Sequence, residues 1–118
     1  MKTMVVGASE NENRYSYKAI QLLNKYGHEI VALSNKKGRI GNIEFETEKK
    51  DFKNIDTISL YINQYIQTEY FDYIIRIKPR RVIFNPGTEN EALMNLLSRN
   101  SISFIEACTL VLLRTAQY

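Results

Sequence analysis

Apolar residues along this chain alternate between short continuous runs and helical stripes. Thr3 to Ala8 is a compact apolar run closed by a polar loop, which predicts a buried strand. The loop Ser9 to Arg14 is rich in turn and cap residue types. Tyr15 to Tyr26 then places Ala19, Ile20, Leu23 and Tyr26 on one helical face, with Gly27 as C-cap. Glu29 to Ser34 reads as a second strand, apolar enough to be covered on both faces. Lys36 to Lys53 is polar and lysine-rich, interrupted by Gly38 and Gly41, and reads as a long functional or mobile loop. Thr57 to Ile62 is a third strand, and helical spacing returns at Tyr70, Tyr73, Ile74 and Ile77 before Pro79 stops it. Arg81 to Asn85 is a fourth strand and Pro86-Gly87 a turn. Thr88-Glu89-Asn90-Glu91 has the form of a capping box, opening a helix with Ala92, Leu93, Leu96 and Leu97 inward. Ser103 to Ile105 is a fifth strand, and Thr109 to Arg114 a short helix packing Leu110, Leu112 and Leu113 on the sheet.

Strands alternating with crossover helices predict an α/β, three-layer, doubly wound Rossmann-like fold with a parallel sheet of about five strands. Length and composition agree: residues 1–118 suit a single domain, 44% hydrophobic and 25% charged. Sixteen basic against thirteen acidic residues give +3, too small an excess to imply a nucleic-acid partner. One cysteine, Cys108, and one histidine, His28, leave no basis for a disulfide framework or a soft-ligand metal site. The apolar runs are too short for a signal-peptide core or a membrane span, so the expectation is a cytoplasmic protein without a membrane partner. Exposed tyrosines and the C-terminal leucines leave a homodimer open.

Sheets of this kind bind ligands past the carboxyl ends of their strands. That directs attention to the loops after Gly7, Ser34, Ile62 and Asn85. Gly7, Ala8 and Ser9 lead into a helix whose first amides suit an anion, with Arg14 and Ser16 as further donors. The plainer reading is that Gly7 only turns the chain. A dinucleotide site would need a glycine-rich fingerprint and an acidic residue after strand two. Here Gly7 stands alone and the strand runs into Asn35-Lys36-Lys37, which leaves NADP or another phosphorylated adenosine. Lys78, Arg80 and Arg81 lie at the opposite end of the sheet and read as solvated surface. Asn85-Pro86-Gly87 gives a second loop into a helix, functional if Asn85 and the Gly87 amide touch ligand. His28 falls at the wrong edge, Cys108 reads as a small buried thiol, and no catalytic triad or carboxylate pair appears, so no enzyme activity is expected. Tyr15 and Tyr61 border the expected cleft.

Gly7-Ala8-Ser9 with Arg14 and Ser16-Tyr17, Val31 to Lys36, and Phe84 to Asn90 occur in order along the chain. As a set they resemble the small stand-alone CoA-binding domain proteins, whose fold is similar to the CoA-binding domain of the succinyl-CoA synthetase alpha subunit. The resemblance runs from Thr3 to about Leu113. It implies CoA phosphates at Gly7, Ala8, Ser9, Arg14 and Ser16, and the nucleotide end at Asn35 and Lys36, with Lys37 nearby. Tyr61, Ile62 and Asn63 would border adenine and ribose, and Asn85, Pro86 and Gly87 the pantetheine. The chain departs from many relatives in lacking proline near Glu12, Leu33 and Lys36, and in carrying Asn85-Pro86-Gly87 where they have a glutamine-containing turn. The synthetase's catalytic histidine belongs to a domain with no counterpart here. The expectation is therefore non-catalytic binding of coenzyme A or an acyl-CoA. The alternatives are an NADP-binding small oxidoreductase or redox sensor, and a protein-interaction module that binds no ligand.

Overall fold

The first apolar run becomes the middle of the sheet, because a strand apolar on both faces is stable only with layers on both sides. In this computed structural model, which describes residues 1–118, that run is β1 (Lys2–Val6). It leads through α1 (Tyr15–Lys25) to β2 (Glu29–Leu33), then to a hairpin of β3 (Arg39–Ile40) and β4 (Ile43–Glu46). β5 (Thr57–Leu60) is followed by the short α2 (Gln64–Gln67), a 3-10 turn at Thr68–Tyr70 and α3 (Phe71–Ile77). β6 (Arg81–Phe84), α4 (Glu91–Arg99), β7 (Ser103–Glu106) and α5 (Thr109–Arg114) complete the chain. The sheet order is β3-β4-β2-β1-β5-β6-β7, parallel except where β3 meets β4. No helix is long and apolar enough to cross a membrane.

Alternating side chains send the two faces of the sheet into separate cores. Met4, Val6, Ile58, Leu60, Val82 and Phe84 pack with Tyr73 and Ile74 of α3 and Leu93 and Leu97 of α4. Val5 and Ala32 pack on the other side with Ile20 and Leu23 of α1 and Leu113 of α5. Each fully buried leucine contributes on the order of 1.5–3 kcal/mol. The fold is thus α/β, in three layers, with a Rossmann-like doubly wound sheet.

The expected five strands become seven. Within the lysine-rich stretch, Ile40-Gly41-Asn42-Ile43 makes a tight hairpin, with Gly41 at φ 58° in the conformation such turns require. β4 then pairs in parallel with β2, burying Phe45 and covering that edge. The capping box also does not form. Asn90 caps α4, accepting at Oδ1 from the Leu93 amide, while the Thr88 hydroxyl donates to the Asn85 carbonyl at 2.7 Å. Ala92 faces solvent, and only Leu93 and Leu97 are fully inward.

The cationic cluster at the amino ends of the strands is less solvated than its charge implies. Arg81 is partly buried, donates to Thr57 Oγ1 at 2.9 Å and lies over the Tyr118 ring. Arg80 grips Asp56 with a two-pronged contact, Nε to Oδ1 at 2.8 Å and Nη2 to Oδ2 at 3.1 Å. The Arg80 hydrogen bond holds the Asp56 carboxyl below its usual range. A carboxyl depressed in the folded state contributes stability above its unfolded value, and that contribution fades as pH falls through the folded one. Asp56→Asn should therefore cost ~0.5–1 kcal/mol at pH 7, the modest value reflecting an exposed arginine. Urea unfolding of both proteins should show the difference shrinking steadily below pH 4; a gap independent of pH would remove the ion pair as its cause.

Candidate functional site

Sheet growth reverses between β1 and β5: the chain first builds outward through β2 and β4, then returns to build β5, β6 and β7. Loops leaving the strands on either side of such a reversal diverge and leave a crevice. Here the crevice is a cleft of roughly 460 Å³ at the strands' carboxyl ends.

Its base is set by Gly7, at φ 98°. A Cβ there would stand 3.0 Å from Ile62 Cγ2 and 3.1 Å from the Tyr61 carbonyl. Glycine thus lets the loop after β1 lie against the loop after β5. The Gly7 and Ala8 amides both donate to the Leu33 carbonyl at 3.0 Å, so these two residues shape the floor while their amides serve the neighbouring strand. Open donors lie further on, at the start of α1, where a helix leaves its first amides without internal partners. Arg14 occupies the N-cap position with extended backbone, and its side chain makes no capping bond. The approach is held by nested turns: Ser9 Oγ accepts from the Asn11 amide, Asn11 Oδ1 from the Asn13 amide, and the Asn11 carbonyl from the Arg14 amide. Ser9, Arg14, Tyr15 and Ser16 all line the cleft, Ser16 being buried.

After β2, Asn35 and Lys36 line the cleft and Lys37 does not. Beyond the bend at Asn35 and Lys36, Lys37 faces a neighbouring hollow beside Glu10, Gly38 and Arg39. Glu10 ties the two cationic loops together by accepting from the Arg39 amide at 2.9 Å. Its chain packs where a Gly38 Cβ would be.

After β5, Tyr61, Ile62 and Asn63 line the opposite wall. Asn63 caps α2, accepting from the Tyr65 and Ile66 amides at 3.0 and 3.1 Å. The Tyr61 hydroxyl is shut away from solvent without a hydrogen-bond partner, and burial pushes it up to about 12. Fully buried Gln67 donates to the Ile62 carbonyl at 2.8 Å and the Thr88 carbonyl at 2.7 Å, and accepts from Asn90 Nδ2 at 3.1 Å. One side chain thereby fixes the spacing of two cleft loops. Sequence reading missed it, since a glutamine among polar residues carries no sign of burial.

Pro86, Gly87 and Thr88 complete the lining after β6. Asn85 sits beneath them, buried, with both side-chain donors and its carbonyl oxygen bonded inside the fold. Its amide donates to Ser59 Oγ and the Leu60 carbonyl, both at 2.9 Å, and its Oδ1 accepts from the Thr109 amide at 2.8 Å. The Gly87 amide is likewise occupied, donating to the Glu89 carboxylate at 3.1 Å. The Asn85 side chain and the Gly87 amide, expected to meet ligand, make internal bonds in this structure. His28, against the Tyr118 ring, and Cys108, partly exposed before α5, do not line the cleft.

The resulting electrostatics are lopsided. No carboxylate lines the cleft, and its two cations, Arg14 and Lys36, come from neighbouring loops after β1 and β2. At the other end Glu89 occupies the donor that an anion would need. The cleft suits a ligand anionic at one end and neutral at the other.

The chain is similar to known proteins over most of its length. A family model described as CoA binding domain matches residues 1–114. A solved structure of an uncharacterized protein is similar over 99% of this chain and 97% of its own, at 42% identity and TM-score 0.96. A Thermus thermophilus protein is similar over 99% and 90%, at 14% identity and TM-score 0.85. A hypothetical protein from Pyrococcus horikoshii OT3 is similar over 92% and 78%, at 17% identity and TM-score 0.84. At those two lower identities the likeness is of fold alone. No curated protein matches the chain.

Proposed function

The chain belongs to the CoA-binding domain family, and from that premise we propose that it binds coenzyme A or an acyl-CoA in the cleft, without catalysing a reaction itself. The observation that carries this reading is the cleft's polarity. Arg14, Lys36 and the open start of α1 suit the phosphates, while the Gly87 end, where Glu89 already fills the donor, suits the uncharged pantetheine arm. Ser9 and Ser16 would add neutral donors to the phosphates, and Gly7 and Ala8 would form the floor beneath them. Asn35 stands beside Lys36 at the nucleotide end, and Tyr61, Ile62 and Asn63 would lie along adenine and ribose. Pro86 and Gly87 would flank the arm. Asn85 and Lys37 drop out as direct contacts in this reading, the first because it is buried and satisfied, the second because it faces elsewhere.

A melting panel tests it. A ligand bound only by the native state raises the melting temperature. CoA should raise it, and NADP at the same concentration should raise it less, because NADP has no long neutral arm to fill the Gly87 end. A flat response to CoA, or a larger one to NADP, would overturn the proposal.

A further inference from the structure

We propose that this protein forms a twofold homodimer through its β7 edge, joining two sheets into one. β7 has nothing on its outer side. All four of its residues are exposed, Phe104 at 37% and Ile105 at 43%, although strands of parallel sheets are ordinarily covered on both faces. Edge strands left to face water are commonly guarded by lysine, proline or a bulge; Ser103-Phe104-Ile105-Glu106 contains no lysine or proline and pairs with β6 in unbroken register.

Backbone direction sets the register. The Ala107 amide points inward, donating to the Phe84 carbonyl at 3.1 Å. Backbone groups alternate along a strand, so those of Ser103 and Ile105 also turn toward β6 and those of Phe104 and Glu106 turn outward. A twofold axis passing beside Ile105 sets Phe104 of each copy opposite Glu106 of the other. Each such pair then exchanges both of its N–H to O=C bonds, as an antiparallel ladder requires. Ile105 meets its own copy in the intervening close pair, removing the exposed isoleucine from water.

Charge selects the same partner. Phe104 meets Phe84 edge to face on the α4 side of the sheet, and Glu106, two residues on, lies on that side too. Arg99 sits in the last turn of α4, near the amino end of β7. Neither Arg99 nor Glu106 has an ion-pair partner within the chain. The antiparallel arrangement carries Glu106 of the second copy toward Arg99, once on each side of the axis. Growth stops at two copies because the opposite edge, β3, is a two-residue strand carrying Arg39. The clefts open at strand ends and remain clear of the joint.

Sedimentation across a concentration series tests the proposal. Wild type should weigh twice its 13.8 kDa chain mass. Glu106→Pro removes an outward amide that the protomer does not use, a place where an edge strand tolerates proline. It should weaken association roughly tenfold to a hundredfold while leaving the fold intact by circular dichroism. Arg99→Glu and Glu106→Arg should each weaken the dimer, and the double exchange should restore it. A wild-type monomer at all concentrations would overturn the proposal. So would a dimer indifferent to Glu106→Pro, or charge exchanges that fail to compensate.

Discussion

Asn85→Leu should lower stability by about 3 kcal/mol, with a fall in melting temperature on the order of 10 °C. Leucine fills similar space but strands the Thr109 amide and the Leu60 carbonyl, and removes one of the donors to Ser59 Oγ. These groups are buried, so each loses a partner without gaining water. The substitution separates two roles that a residue at a strand's carboxyl end can play. If Asn85 braces α5 against β5 and β6, stability falls while the remaining folded protein keeps most of its CoA affinity. Lost affinity at an unchanged melting temperature would make it a ligand contact instead.

Gly7→Ala should cost about 2–3 kcal/mol and weaken ligand binding as well. An L residue at φ 98° is strained by roughly 1–3 kcal/mol. The new methyl also meets the Tyr61 carbonyl at 3.1 Å, which is backbone within a pinned loop and cannot swing aside. Relief comes only by moving the loop after β5 outward, taking Ile62 and Asn63 from the cleft wall. Urea unfolding and CoA titration should therefore change together. A neutral substitution would show that the two loops do not press on one another.

Most of the fold is legible in the sequence because its central strands are buried on both faces. Continuous apolar runs such as Thr3 to Ala8 then stand out from the helical stripes. The hairpin is hidden because only Ile40, Ile43 and Phe45 face inward there, amid a run of charges. The Gly41-Asn42 turn between them is its one local signal. The cleft is largely legible too, since loop positions follow from strand order. What sequence position does not convey is which way a side chain points. Lys36 and Lys37 are neighbours with opposite outlooks, and Asn85 ends a strand like its cleft-lining neighbours yet turns toward Ser59 and Thr109. Thr88 and Asn90 compete to cap one helix, and Asn90 wins, bonded at the same time to buried Gln67.

Binding of the CoA phosphates at the cationic end of the cleft underlies the proposed function. It is tested most directly by calorimetric titration of CoA into wild type and into Arg14→Ala/Lys36→Ala. Both side chains are exposed and have no ion-pair partner within the fold, so the double variant should melt like wild type. Each charge-assisted hydrogen bond lost costs about 1.5–3 kcal/mol, so affinity should fall on the order of a hundredfold or more. Equal affinity in the two proteins would place the phosphates elsewhere and contradict the claim.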